Sequence, residues 1–340
     1  MDIIVLTNEK GEFYSSIKYL KQSGKLSFNT DKMVEYGKEQ GLNFIFRSYS
    51  DIDFRNFDLK DKVIFYTSSE DPMLYYKGYV HDVVRGIDLM GGTLVPRLEL
   101  FEAHHNKVFM EILRDILLKE ADTGVVTRHF GTFESYLQKI DEIEVPVVIK
   151  TAFGAGSNGV ALIKTAEEKI SKPKKMSSAA SLKEYVKKAL GKYTPFSLHR
   201  NKFVIQNFIE NLNGDFKVLI YGDKYYAISR ANRKNDFRAS GGGIIDFSPE
   251  LPNGIFDFAK KVFEALDTPY ASLDIAYDGK RFYLIEFQCM HFGPLTVENS
   301  LRYYIFEDNK WKCVEAESII EKVFVEAVFK YLIKKGLYKK

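Results

Sequence analysis

Apolar and polar residues follow one another along this chain in short blocks whose periods name the elements. Ile3-Ile4-Val5-Leu6 is an unbroken apolar run, the pattern of a strand buried on both faces. The spacing over Asp31 to Gln40 predicts a helix, followed by a strand at Asn43 to Phe46. Val63-Ile64-Phe65-Tyr66 is a second buried run, ended by the turn-forming stretch Thr67 to Pro72. Tyr79 to Met90 has helical spacing and is closed by Gly91-Gly92, and Leu94-Val95 is a short strand before Pro96. Alternation of this kind predicts a small parallel α/β domain over residues 1–95.

Beyond it the pattern changes. Leu98 to Lys119 has helical spacing throughout, with Lys107 inside it; Gly124 to Arg128 turns toward a strand, and Phe133 to Ile140 reads as a helix. A Lys/Ser/Ala-rich connection over Thr165 to Arg200 holds a helix from about Ala180 to Leu190, and its composition suggests a small, mobile subdomain. From Phe203 to Gln206 onward, hairpins replace crossovers: Asp215 to Ile220 with Tyr225 to Arg230, then Ala271 to Tyr277 with Phe282 to Gln288. Helices are expected at Phe256 to Leu266 and Glu315 to Lys335. The expected class is therefore α/β followed by antiparallel α+β, divided as 1–95, 96–202 and 203–340.

The most informative stretch is Val147 to Lys164, V-V-I-K-T-A-F-G-A-G-S-N-G-V-A-L-I-K. Gly154, Gly156 and Gly159 match G-x-G-x-x-G, the dinucleotide fingerprint. That fingerprint requires the last glycine to open a helix whose N-terminus holds pyrophosphate. Here Val160-Ala161-Leu162-Ile163 follows, a strand pattern. The segment is strand, glycine loop, strand. Such a hairpin folds over a phosphate chain, offering backbone N–H groups and Lys150 at its base, and points to ATP rather than NAD.

Two further constellations carry chemistry. Asp274, Glu286 and Gln288 interrupt apolar strands, where a charge is costly unless paired or bound to a cation. Glu286 and Gln288 share a face by their spacing. Asp274 joins them if the hairpin loop has three or five residues, and faces away if the turn is the two-residue Asp278-Gly279. On one face, three oxygen ligands would suit Mg²⁺; a half-exposed sheet meeting solvent is the other reading. Arg230, Arg233, Lys234 and Arg238 surround Asp236 and precede Ser240-Gly241-Gly242-Gly243, a set suited to phosphoryl oxygens or to a solvated loop. Cys289 is expected in the core, His291 in a structural role, and His104 and His105 in none.

Composition narrows the field only modestly. Over 340 residues the formal net charge is +3, with 28% charged and 45% hydrophobic residues, ordinary for a globular protein and no argument for nucleic acid. The basic run Lys172 to Lys175 is short. Two cysteines make no disulfide framework, and no apolar run reaches membrane-spanning length, so the cytoplasm is the expected compartment.

The order of these features resembles the ATP-grasp superfamily, and is most similar to its ribosomal-protein glutamate ligase and glutathione synthetase branch, over residues 95–300. Lys107 and Lys150 match the nucleotide lysines, and Gly154 to Gly159, with Gly156 and Ser157, the phosphate-covering loop. Gln206-Asn207-Phe208-Ile209 matches the adenine-reading hinge, and Asp215 the acid that holds the ribose hydroxyls. Asp274, Glu286 and Gln288 match the metal ligands, Gln288 standing where the family has asparagine; Asp236 to Gly242 resembles D-F-R-x-N…G-G; Lys217 falls where this branch usually has arginine. The resemblance implies an ATP-dependent carboxylate–amine ligase. It would work through an acylphosphate with one or two Mg²⁺ (Mn²⁺ as an alternative), and Arg238, Arg230 and Lys217 would serve the transferring group. Its partners would be a small-molecule or peptide carboxylate and an amine acceptor, in a superfamily where homodimers are common. Ser68, Ser69, Tyr75 and Tyr76 are the expected lining of the carboxylate site. A kinase acting on a hydroxyl or amide, and a non-catalytic nucleotide-binding regulator, are the alternatives.

Overall fold

The computed structural model describes residues 1–13, 27–69, 72–154, 159–192, 196–232, 236, 238, 244–293 and 295–338. Its first unit runs β1 (Asp2–Thr7), α1 (Thr30–Glu39), β2 (Asn43–Ser48), β3 (Val63–Phe65), α2 (Tyr75–Leu89) and β4 (Thr93–Val95). The sheet order is β2-β1-β3-β4 and every pairing is parallel, as the β/α alternation requires. Helix α2 starts four residues before the expected Tyr79, so Tyr75 and Tyr76 belong to its first turn and not to a loop.

The apolar stripe of residues 98–119 does not make one helix. It splits into α3 (Leu98–Ala103) and α4 (Lys107–Leu117). His105 adopts φ 57°, and the Asn106 side chain accepts a hydrogen bond from Phe109 N, so a left-handed residue and an N-cap interrupt a stripe that continues through them. Lys107 is thereby the first residue of a helix, not an interior one.

Next come β5 (Thr127–Phe130), α5 (Phe133–Leu137), β6 (Val147–Thr151), β7 (Val160–Ile163), α6 (Glu168–Met176), α7 (Leu182–Ala189) and β8 (Phe203–Asn207). Strands β6 and β7 pair antiparallel from Val147↔Ile163 to Lys150↔Val160. The glycine segment is a hairpin, and no helix follows Gly159. The sheet order β5-β8-β6-β7 places β8 between β5 and β6. Residues 203–207, assigned from sequence to the third unit, thus pair within the second; strand alternation predicts a strand but not its neighbours.

The remaining strands and helices are β9 (Gly214–Tyr221), β10 (Lys224–Ala231), β11 (Ile245–Asp246), α8 (Ile255–Leu266), β12 (Tyr270–Tyr277), β13 (Phe282–Gln288), α9 (Leu295–Asn299), β14 (Arg302–Glu307), β15 (Lys310–Glu315) and α10 (Ile320–Lys334). They form an antiparallel sheet of order β13-β12-β9-β10-β14-β15, with β11 on β10. The β14–β15 hairpin occupies residues at and before the expected start of the terminal helix. The two faces of this sheet differ. Phe216, Val218, Ile220, Ala271, Leu273 and Ile275 pack under α8. On the other face Leu219, Tyr221, Tyr226 and Tyr270 pack against α10 and the first unit, while the same strands carry Asp215, Lys217, Arg230 and Asp274 further along. One face therefore changes from apolar to charged along its strands, and the charged end is the floor of a cavity.

Candidate functional site

A cavity of about 270 Å³ lies between this floor and the β6–β7–β8 sheet. The expected nucleotide, metal and transfer residues within the described set all line it: Lys107, Lys150, Gly154, the Gln206–Ile209 segment, Asp215, Lys217, Arg230, Arg238, Asp274, Glu286 and Gln288. Gly156 and Ser157 lie outside the described residues. Ser68, Ser69, Tyr75 and Tyr76 do not line it. Thr67 and Ser68 are buried, and Tyr49 Oη donates to the Thr67 carbonyl at 2.9 Å, so this segment is tied into the first unit.

The hairpin loop over 278–281 has an even number of residues, between strands that pair Tyr277↔Phe282 and Ile275↔Leu284. Continued regularly, that register sets Asp274 opposite Ile285 and turns Glu286 away from it. Instead the ladder slips by one residue, and Asp274 pairs with Glu286. This β-bulge at Ile285 brings both carboxylates to one face, and places Ile285 on the cavity as well. A bulge was outside the loop lengths weighed from sequence.

On the floor, Arg230 on β10 reaches Asp215 on the adjoining β9 and Asp274 on β12, one strand further. Its Nε and Nη2 each donate to Asp215 at 2.7 Å, and Nη2 lies 2.8 Å from Asp274 Oδ2. Lys217 Nζ lies 3.8 Å from Asp274 Oδ1. Burial pushes Asp274 up, but Arg230 and Lys217 outweigh it and hold the carboxyl below its ordinary range. Burial raises Asp215 more than Arg230 lowers it, and the charge of Asp274 adds to the rise. Gln288 Nε2 donates to Glu286 Oε1 at 3.1 Å. Its amide thus faces Glu286 with a donor; turning the amide over would offer its oxygen to a cation.

On the roof, Lys150 stands across from Val160 on β7 and Val204 on β8, and is buried. Burial lowers its ammonium pKa to about 8, against the upward pull of Glu111 and Glu286. Lys107 donates to the Gly154 carbonyl at 2.7 Å, and its backbone N–H to Ala152 O at 2.9 Å, so α4 begins on the glycine hairpin. Gln206 Nε2 is buried with no hydrogen-bond partner among the described residues, and Gln206 lines the cavity. Arg238 donates through Nε and Nη2 to Asp236, the shortest contact being 2.6 Å, and Nη1 reaches Val160 O at 3.4 Å.

These groups fit a magnesium nucleotide. Two carboxylates and an amide share one face, two lysines stand over them, and a buried amide donor awaits an acceptor. Among the described residues no group of three or more His, Cys, Asp or Glu could hold a metal ion, so the candidate set is Asp274 and Glu286 with the amide of Gln288. Sequence reasoning missed His105, which lines the cavity at the break between α3 and α4. It also passed over Glu111 and Arg114, whose signal was available: a charged pair three residues apart on a buried helical stripe. Cys289 is buried in the core as expected.

No protein-family model matches the chain, and no curated protein matches it by sequence. Solved structures do match. The D-cycloserine synthetase DcsG aligns with a TM-score of 0.56 at 11% identity, covering 98% of this chain and 100% of that one. The macrocyclase MdnC of Microcystis aeruginosa MRC, solved with its precursor peptide MdnA, aligns at 0.51 and 9%, covering 96% and 98%. The ADP complex of the N5-carboxyaminoimidazole ribonucleotide synthetase purK aligns at 0.50 and 12%, covering 88% and 73%. At such identities the likeness is one of fold. No helix among the described residues is long and apolar enough to cross a membrane.

Proposed function

We propose, from the ATP-grasp fold that this chain shares with those structures, that it is an ATP-dependent ligase joining a carboxylate to an amine. The observation that carries the reading is the bulged register, which sets Asp274 opposite Glu286 beneath Lys107 and Lys150 in one cavity. The named activities of DcsG and purK, both synthetases, agree with it.

In this reading the backbone and side chains of Gln206 to Ile209 receive the base, with the unpartnered Gln206 Nε2 available as a donor. Asp215 keeps acceptor capacity for ribose hydroxyls beyond its two bonds from Arg230. Lys107 and Lys150 neutralise the phosphate chain, and Asp274, Glu286 and Gln288 hold Mg²⁺, whose charge lowers the cost of crowding phosphate oxygens. A substrate carboxylate oxygen attacks the γ-phosphorus, ADP leaves, and an acylphosphate results. The amine then attacks the acyl carbon, expels phosphate and loses a proton, leaving an amide. Arg238, close to the hairpin, bears on the transferring group, and the hairpin excludes water that would hydrolyse the acylphosphate. No side-chain nucleophile is needed.

The test is a turnover screen with ATP and Mg²⁺ against pools of carboxylates, with and without amines, following ADP and phosphate together. ADP and free phosphate appearing only with both pools is the expected outcome. Product formed without amine and carrying its phosphate on a hydroxyl or amide, not on a carboxylate, would replace the ligase reading with the kinase. Lys150→Ala should weaken ATP binding about ten- to a hundredfold, the loss of one charge-assisted contact; unchanged affinity by calorimetry counts against the assigned phosphate path.

A further inference from the structure

We propose that Arg114, paired with Glu111 on α4, is a positioning residue that holds the β13 bulge and thereby keeps Glu286 on the cavity face opposite Asp274. Arg114 Nη1 donates to the Leu284 carbonyl at 2.7 Å and Nη2 to the Ile285 carbonyl at 3.4 Å. In a regular strand successive carbonyls point to opposite edges. One guanidinium takes two in a row only where the strand is bulged, because there two successive peptide groups turn their carbonyls to the same side. β13 is an edge strand, and that outward side faces α4. The Leu284 N–H is taken there too, by Thr123 O at 2.9 Å.

The fork is itself fixed. Arg114 Nε and Nη2 donate to Glu111 at 2.7 and 3.2 Å, and Thr127 Oγ1 on β5 donates to the same carboxylate at 3.0 Å. Both charged side chains are only 2% exposed. The pair therefore links α4, which starts at Lys107, with the roof sheet and with the two residues beside Glu286. A full charge buried at a sheet edge is costly unless its bonds are used, and here Arg114 spends them on the carboxylate and on the irregular backbone. Without the clamp, the regular register puts Glu286 on the far face.

This inference rests on the metal-nucleotide reading for its consequence, and its test separates the two. Arg114→Lys keeps the charge toward Glu111 but has a single donor point, which cannot serve the carboxylate and two carbonyls together. The affinity of ADP is measured by calorimetry in EDTA and in Mg²⁺. The variant should bind metal-free ADP within about twofold of the native chain, while the tightening caused by Mg²⁺ falls by about ten- to a hundredfold, as when an outer partner of a metal ligand is lost. Native tightening in the variant overturns the proposal. A crystal structure of the variant gives an arm that needs no nucleotide: Glu286 displaced from Asp274 supports the clamp, and an intact bulge overturns it. If the native chain shows no response to Mg²⁺, the metal reading falls, and the register in the variant still decides the clamp. Should Arg114→Lys not fold, the double variant Glu111→Gln with Arg114→Gln removes both buried charges together, and the same two outcomes apply.

Discussion

At the scale of single residues, the site is built from charges placed where the chain would otherwise bury apolar atoms. Lys150 sits near the end of an apolar strand, and among the described residues the carboxylates of Glu111 and Glu286 offset its burial. Arg230 does the same for Asp215 and Asp274 on the floor. The buried histidines near the cavity shift in the other direction from a paired charge. His291 is buried and its pKa falls to about 4, by burial first and then the charge of His105. Around it, His104 Nε2 donates to the His291 carbonyl at 3.2 Å, and Lys77 donates to the His104 carbonyl. Between pH 6.5 and 4 the unfolded chain binds a proton at His291 that the native chain does not. Stability therefore falls as the pH is lowered through that window, by up to about 3 kcal/mol. His104, lowered also by burial, acts in the same direction. Urea midpoints at pH 7 and 4.5 should differ less in His291→Asn than in the native chain; equal differences would remove His291 from the account.

At the scale of elements, two hairpins decide the chemistry. The β6–β7 hairpin was legible because Val160 to Ile163 lacks any helical signal, which excluded the dinucleotide fingerprint despite a matching glycine spacing. The β12–β13 hairpin was legible only as two strands, since alternation gives the period and not the bulge. The β9–β10 hairpin carries a third constraint. A Cβ on Gly214 would come within 2.2 Å of the Arg230 carbonyl oxygen, on the strand pair that sets Asp215 against Arg230. Gly214→Ala must push that backbone aside. It should cost about 1–3 kcal/mol in urea denaturation, and it should weaken nucleotide binding by separating Asp215 from Arg230. Full stability in the alanine variant would mean the strands part without strain.

At the scale of the whole molecule, α10 joins the first unit to the large sheet. Phe324 is fully buried, with ring centroids 5.7 Å from Phe13, 5.2 Å from Phe28 and 5.0 Å from Tyr270. Glu321 accepts from Asn29 N at 3.0 Å, at the cap of α1. The apolar end of the sheet face that bears the cavity is thus sealed by residues from both ends of the chain. Phe324→Ala should cost about 3–5 kcal/mol. It should lower the midpoint of the first unit and of the large sheet together, in one transition seen alike by far-ultraviolet dichroism and tyrosine fluorescence. Separate transitions would show that the first unit holds its own core.

The sequence by itself determined the types and order of most of the elements, the glycine hairpin, and which polar residues were too costly to leave in apolar strands without a partner. Those are local properties: period, turn chemistry and the desolvation of a charge act over a few residues. Tertiary structure alone decided the place of β8 among the roof strands, the engagement of Arg230 by both Asp215 and Asp274, and the face of Glu286. Each of these depends on a partner distant in sequence. Asp274 and Glu286 meet because an arginine some 170 positions earlier takes two carbonyls of a strand edge, and no pattern within β13 could announce it.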